Sequence, residues 1–216
     1  MHGGTGSPDI GMFPASPAMF VLEASFYAHR PLWALVTSGA FDRFPGLQLV
    51  FAEAGSSWVR NTLAMMDSIQ ARIEQGNVGV MPIANPLILE MKPSEYWQRN
   101  CWLGSSFMTR GDADDRDAVG SHKIMWGSDF PHLEGCWPYS HEHLRLAFAG
   151  VAEDEVRAMV GGNAARVYGF DLAALAPLAQ RFGPSVAEVA VPLDPADIPD
   201  DSLRCPAFAS TRFLGE

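Results

Sequence analysis

The chain has 216 residues, of which 48% are apolar and 19% charged, the composition of a globular protein able to bury a sizeable core. A formal net charge of -10 without any Lys/Arg cluster excludes a phosphate-tracking surface, so nucleic acid is not an expected partner. No apolar run approaches the roughly 20 residues of a spanning helix, no signal-peptide pattern opens the chain, and Cys101, Cys136 and Cys205 are too scattered for a disulfide framework, so a cytoplasmic protein without a membrane partner is expected.

Residues 1 to 19 are rich in Gly and Pro and read as a long loop. From Arg30 to Asp42 the spacing of Leu32, Leu35, Val36 and Ala40 predicts a helix that stops before Phe44-Pro45. Leu47 to Glu53 is a strand ending in acid. Ser56 or Ser57 can cap the next helix, whose stripe of Val59, Thr62, Leu63, Met66, Ile69 and Ile73 is closed by Gly76. Residues 76 to 93 form an irregular connection, Asn100 to Gly104 a weaker strand, and Asp112 to Val119 a short helix. Lys123 to Ser128 is an apolar strand that delivers Asp129, and helices follow at Ser140 to Ala149 and Ala152 to Val160, the second stopped by Gly161-Gly162, after which Asn163 caps a short turn to Tyr168. Leu172, Leu175, Leu178 and Phe182 mark an amphipathic piece, and Pro184, Pro192, Pro195, Pro199 and Pro206 predict an extended tail wrapping a surface. Strands alternating with helices argue for an α/β fold with a parallel sheet.

In such folds the C-terminal ends of strands build the active site, and two strands here end in carboxylates, Glu53 and Asp129. Either acid alone reads first as a helix cap or a salt-bridged rim residue, but two in one sheet, one with His132 three residues on, point to a site. The glycine-rich stretch from His2 to Pro8 has no GxxxxGK[ST] pattern and no preceding strand, and by itself His2 reads as a terminal residue. His141 and His143 sit on a predicted helix, where positions i and i+2 point roughly 200° apart, so they read as partly exposed helix residues, not as a metal pair. Asp112, Asp114, Asp115 and Asp117 lack the glycine and distal glutamate of a calcium loop and read as a solvated helix start.

Gly127-Ser128-Asp129-Phe130-Pro131-His132-Leu133-Glu134-Gly135 with Trp137-Pro138 resembles the amidohydrolase-related family, the metal-dependent hydrolases and decarboxylases akin to aminocarboxymuconate semialdehyde decarboxylase. Phe44-Pro45-Gly46-Leu47, Phe51-Ala52-Glu53-Ala54-Gly55-Ser56-Ser57-Trp58-Val59, Lys92-Pro93-Ser94-Glu95-Tyr96, Gly162-Asn163-Ala164-Ala165-Arg166 and Tyr168-Gly169-Phe170 extend the resemblance in the family's order over residues 1 to about 170. It implies a (β/α)8 barrel with a divalent metal, commonly zinc, at its mouth. It makes Asp129 the strand 8 aspartate that binds the metal or takes a proton from its water, and His2 the metal ligand ending strand 5. Glu53 stands where many members have a strand 6 histidine, and His132 lies beside the pocket in contact with substrate.

The family's strand 1 HxH pair and strands 1 to 4 have no counterpart here, which implies the C-terminal half of a TIM barrel, from a truncated or mis-started reading frame, over residues 1 to 170, with a helix and tail over 171 to 216. A half-barrel exposes sheet edges and an apolar interior, so it associates, for instance as a homo-oligomer, unless something covers them. The expected activity is hydrolysis or metal-assisted carbon-carbon cleavage of a small organic acid or amide. The alternatives are a non-catalytic remnant serving as an interaction module and an unrelated α/β binding protein.

Overall fold

The computed structural model describes every residue except 1, 3–5, 7, 79, 83–87, 215 and 216, so most of the glycine-rich start and part of the irregular connection lie outside the described residues. The chain forms two compact units, Met1–Leu103 and Gly104–Glu216.

The first unit contains α1 (Ser16–Ala28), α2 (Arg30–Thr37), α3 (Ala40–Arg43), β1 (Leu49–Ala52), α4 (Val59–Glu74), β2 (Asn77–Val78), β3 (Met81–Pro82) and α5 (Pro93–Asn100), and it takes in the start of β4 (Cys101–Ser106), the neighbour of β1. Helix α1 falls partly inside the expected loop. It is nearly uniformly apolar, so no periodicity marks it, and its start carries only Pro17 and no capping side chain. The expected helix from Arg30 to Asp42 is two helices, because Gly39 takes a left-handed conformation with φ 66° between them. Neither Ser56 nor Ser57 caps α4, whose N-cap is Trp58 without a side-chain bond, but Val59, Thr62, Leu63 and Met66 of the expected stripe are buried. β2 and β3 form a two-residue antiparallel ladder, Asn77 opposite Pro82 and Val78 opposite Met81.

The core of this unit is aromatic. Phe51 of β1 stacks on Trp97 of α5 with centroids 5.8 Å apart, and Trp58 meets Trp97 edge-on at 5.7 Å. His29, at the junction of α1 and α2, stacks on Trp58 at 3.9 Å and is buried. Desolvation pushes its pKa down to about 4, so it is neutral.

The second unit holds the rest of β4, then α6 (Arg110–Asp114), α7 (Arg116–Val119), β5 (Ile124–Gly127) beside β4, α8 (Ser140–Phe148), α9 (Glu153–Arg157), α10 (Asn163–Tyr168), α11 (Leu172–Phe182), α12 (Val186–Ala190) and α13 (Pro206–Leu214). Asp112 belongs to a capping box, with Thr109 as the N-cap of α6, which agrees with the helix start read from the acidic cluster. The stop expected at Gly161-Gly162 does not occur. Residues Ala158–Gly162 form a π-helical turn that runs from α9 into α10, and the chain leaves helix only at Gly169, with φ 73°.

The tail is helical where an extended chain was expected. Pro195 opens a short 3₁₀ turn and Pro206 opens α13, positions where the missing N–H is an orphan anyway. The tail contributes Leu193, Ile198, Cys205, Ala207 and Phe208 to a cluster with Cys136 and Leu146. Burial pushes the Cys136 pKa up to about 11 and raises that of Cys205, which keeps both as unreactive thiols.

His143 is fully buried, not partly exposed as the sequence suggested. Its Nδ1 accepts from the Trp126 indole N–H at 3.2 Å and its Nε2 donates to the Met108 carbonyl at 2.9 Å. Both ring nitrogens are therefore satisfied in the neutral form, and burial holds the pKa at about 4.

The chain entering each of the two acid-bearing strands is pinned in the same way. Asn100 donates Nδ2 to the carbonyls of Pro45 (2.9 Å) and Leu47 (2.7 Å), ahead of β1. Asn163 donates Nδ2 to the carbonyls of Ser121 (2.8 Å) and Ile124 (2.7 Å), at the start of β5. Asn163 thus anchors a strand and does not cap a turn. Both asparagines are completely buried. Asn163→Ala is expected to destabilise the protein by about 2–3 kcal/mol, because the buried Ile124 carbonyl and the part-buried Ser121 carbonyl lose their donor and a cavity opens. Urea denaturation measures this, and a change below about 0.5 kcal/mol would show that water replaces the amide without loss.

Candidate active site

β1 buries Leu49 and Phe51 and leaves Val50 and Ala52 half-buried, the alternation of a strand with one face in the core. Continued extension would aim Glu53 to the same side as Phe51, where a carboxylate has no solvation. The backbone turns left-handed at this residue instead, with φ 54°, and takes the side chain out of the strand register. His2 runs beside this end, forming an isolated parallel bridge with Ala52. Its Nε2 lies 2.9 Å from Glu53 Oε1.

β5 repeats the design. Ile124 and Met125 are buried, and two residues past the strand Asp129 is left-handed with φ 61°. Its side chain is only 8% exposed, and Oδ2 lies 2.9 Å from Nδ1 of His132. The loop is drawn tight by Cys136 N donating to Ser128 O (3.0 Å), His132 N to Asp129 O (2.9 Å) and Gly135 N to His132 O (3.1 Å). A Cβ on Gly135 would come within 2.9 to 3.0 Å of the Ser128, Asp129 and His132 carbonyls, so only glycine fits there. The loop also holds two cis prolyl bonds, Phe130-Pro131 and Trp137-Pro138, and the Phe130 and Trp137 rings meet edge-on at 5.6 Å.

Left-handed backbone at a non-glycine residue is uncommon, and strain of this kind collects at functional sites. Among the described residues it occurs at Glu53, Phe107 and Asp129, each following the end of a strand. Phe107, one residue past β4, gave no signal in the sequence, nor did the steric role of Gly135. The four residues expected in the site fall into two pairs, His2 with Glu53 in the first unit and Asp129 with His132 in the second. Each pair sets an imidazole nitrogen at hydrogen-bond distance from a carboxylate oxygen, and both are donor types that divalent metals take. The donor chemistry of each pair therefore fits a divalent metal.

Glu53→Gly is expected to raise stability by about 0.5–1 kcal/mol, because glycine adopts this φ without strain. Urea unfolding of Glu53→Gly and Glu53→Gln separates the two contributions. If the glycine variant were the less stable of the two, the strain argument would fail.

Residues 110–170 match the family model for amidohydrolases. This segment contains Asp129, His132, Gly135 and Asn163. An amidohydrolase from Mycobacterium avium subsp. paratuberculosis K-10 shares 24% identity over 70% of this chain and 35% of its own, with a TM-score of 0.55. The 2,6-dihydroxybenzoate decarboxylase from Rhizobium matches with a TM-score of 0.55 and 19% identity, over 78% of this chain and 50% of its own. The 5-carboxyvanillate decarboxylase from Novosphingobium aromaticivorans, solved with manganese, gives 0.53 and 18%, over 78% and 47%. At these identities the likeness is one of fold, and the chain spans a third to a half of each solved structure. No curated protein sequence matches the chain. No helix among the described residues is long and apolar enough to cross a membrane.

Proposed function

We propose that this protein is a metal-dependent hydrolase or decarboxylase acting on a small organic acid or amide. The observation that carries the reading is the repeated one: an acid held in left-handed backbone just past an apolar strand, with an imidazole nitrogen 2.9 Å from its carboxylate. His2 and Asp129 serve as metal ligands, Glu53 and Asp129 as the acid-base groups, and His132 orients Asp129 and reaches substrate. The manganese of the 5-carboxyvanillate decarboxylase makes manganese as reasonable an ion as zinc. When bound, a divalent ion lowers the pKa of a water and polarises an oxygen of the substrate.

The residues of the chain supply the proton traffic. Asp129, nearly buried and bonded through Oδ2 to His132 Nδ1, is placed to accept a proton from a nucleophilic water in hydrolysis. In decarboxylation the same pair would return a proton to the carbon that loses its carboxylate. Glu53 accepts from His2 Nε2 and, as a carboxylate, cannot take the imidazolium role of a histidine at this position.

The test is metal content. The purified chain is expected to bind one manganese or zinc ion, measured by elemental analysis and titration calorimetry, and Asp129→Ala to lose it. Carbon dioxide release from hydroxybenzoates against amine release from amides then separates the two reaction types. A protein that takes up neither ion would overturn the proposal.

A further inference from the structure

An amphipathic helix normally turns its apolar stripe toward a core, and α11 does not. At about 100° per residue Leu172, Leu175, Leu178, Ala179 and Phe182 fall within an arc of roughly 120°, a stripe as wide as those that pack in protein interiors. Yet no residue of α11 is buried. Leu172 is 55% exposed, Leu178 54% and Phe182 64%. Beside the helix runs a groove of about 690 Å³, walled by Leu172 and Ala179 on one side and by Leu144, Phe148, Val156 and Val189 of α8, α9 and α12 on the other. An apolar ridge next to an apolar groove on one surface is what a two-fold interface requires, since each copy offers the other both halves of the contact.

We infer that α11 is the centre of a homodimer, packed antiparallel against α11 of a second copy, with the stripe of each helix seated along the groove of the other.

Charge favours that orientation. Asp171 caps the N-terminus of α11 and Arg181 lies in its last turn. In an antiparallel pair Asp171 faces the partner's Arg181 at both ends, and the helix dipoles oppose, whereas a parallel pair sets like charges side by side. Arg181 also holds its guanidinium over the Phe182 ring at 4.7 Å, which keeps the cation at the end of the stripe. The area is sufficient. With Phe170 and Val186, the stripe exposes on the order of 700 Å² per copy, close to the roughly 800 Å² per partner of a standard interface. A patch of this size is larger than an isolated soluble chain usually leaves open.

The test uses the full chain. Sedimentation of the wild type is expected to show a dimer at micromolar concentration, and Leu178→Asp or Phe182→Asp to weaken it at least tenfold, with the circular dichroism of the folded chain unchanged because both side chains are exposed. Arg181→Gln weakens it as well and makes the remaining association less sensitive to salt. A wild type that remains monomeric at about 50 µM overturns the inference. So does a dimer indifferent to Leu178→Asp and Phe182→Asp.

Discussion

Lowering the pH from 7 to 4.5 is expected to remove on the order of 5 kcal/mol of folding stability, before most carboxylates have titrated. The loss comes from His29 and His143, both held at about 4 by burial against an unfolded value of 6.5. The sign follows from proton binding. Between 6.5 and 4 the unfolded chain takes up protons at these two sites and the native state does not, so stability is complete above 6.5 and falls as pH drops through the window. For His143 the refusal is geometric as well as dielectric. Protonating Nδ1 would set its new N–H against the Trp126 indole N–H that it now accepts from, donor against donor. His29 lies flat on Trp58, and its Nε2 has no hydrogen-bond partner among the described residues. Glu188 has the opposite bias, its carboxylate favoured by two Ser185 hydrogen bonds, so its contribution fades only below about 4.5 and the two windows separate. Urea midpoints at half-unit steps measure the profile. A midpoint that stays level from 6.5 to 4.5 would refute it, and His143→Gln should remove about half the slope.

The second large effect concerns Asp129. Under the proposed function, Asp129→Ala is expected to lower metal affinity by at least 10²-fold, because it removes the proposed ligand and releases His132 from its 2.9 Å bond. Stability should change by less than about 1 kcal/mol, since the lost bond is balanced by relief of a charge that is nearly buried. Asp129→Asn keeps the shape and the hydrogen bond while removing the formal charge, so it separates charge from geometry. If alanine and wild type bound manganese and zinc equally, Asp129 would be a structural loop residue. Aspartate tolerates left-handed backbone better than glutamate, so Asp129→Gly should gain less than Glu53→Gly.

Much of this arrangement was legible in the residues. Apolar runs ending in acid located β1 and β5 within one or two positions, and the 3.6-residue stripes located α4 and α11. What escaped depends on backbone conformation or on contacts distant in sequence. Gly39 breaks a helix whose apolar spacing runs on past it. Gly161-Gly162 carries a π turn and stops nothing, because Asn163 just beyond is tied to Ser121 and Ile124 and holds the segment in helix. Prolines in the tail start helical turns where an extended chain was expected, a difference that depends on which backbone N–H groups must be paired. His143 looked like any helix-surface histidine, since its partners, Trp126 and Met108, lie 17 and 35 residues away. Of the candidate site, Glu53, Asp129 and His132 stood out at the strand ends, whereas His2 entered only through the family resemblance, and its pairing with Glu53 required the bridge to Ala52.

Phe107 occupies the same backbone state past β4 that Glu53 and Asp129 occupy past theirs, with φ 57°, but it carries an apolar ring against the tail cluster and no ionisable group. The conformational strain of presenting a side chain at that strand end is thus already borne by the fold. Exchanging the ring for a polar side chain would cost only the packing it makes with that cluster. Position 107 is accordingly an evolvable site, where a single codon change can present a new donor or acceptor without reshaping the backbone.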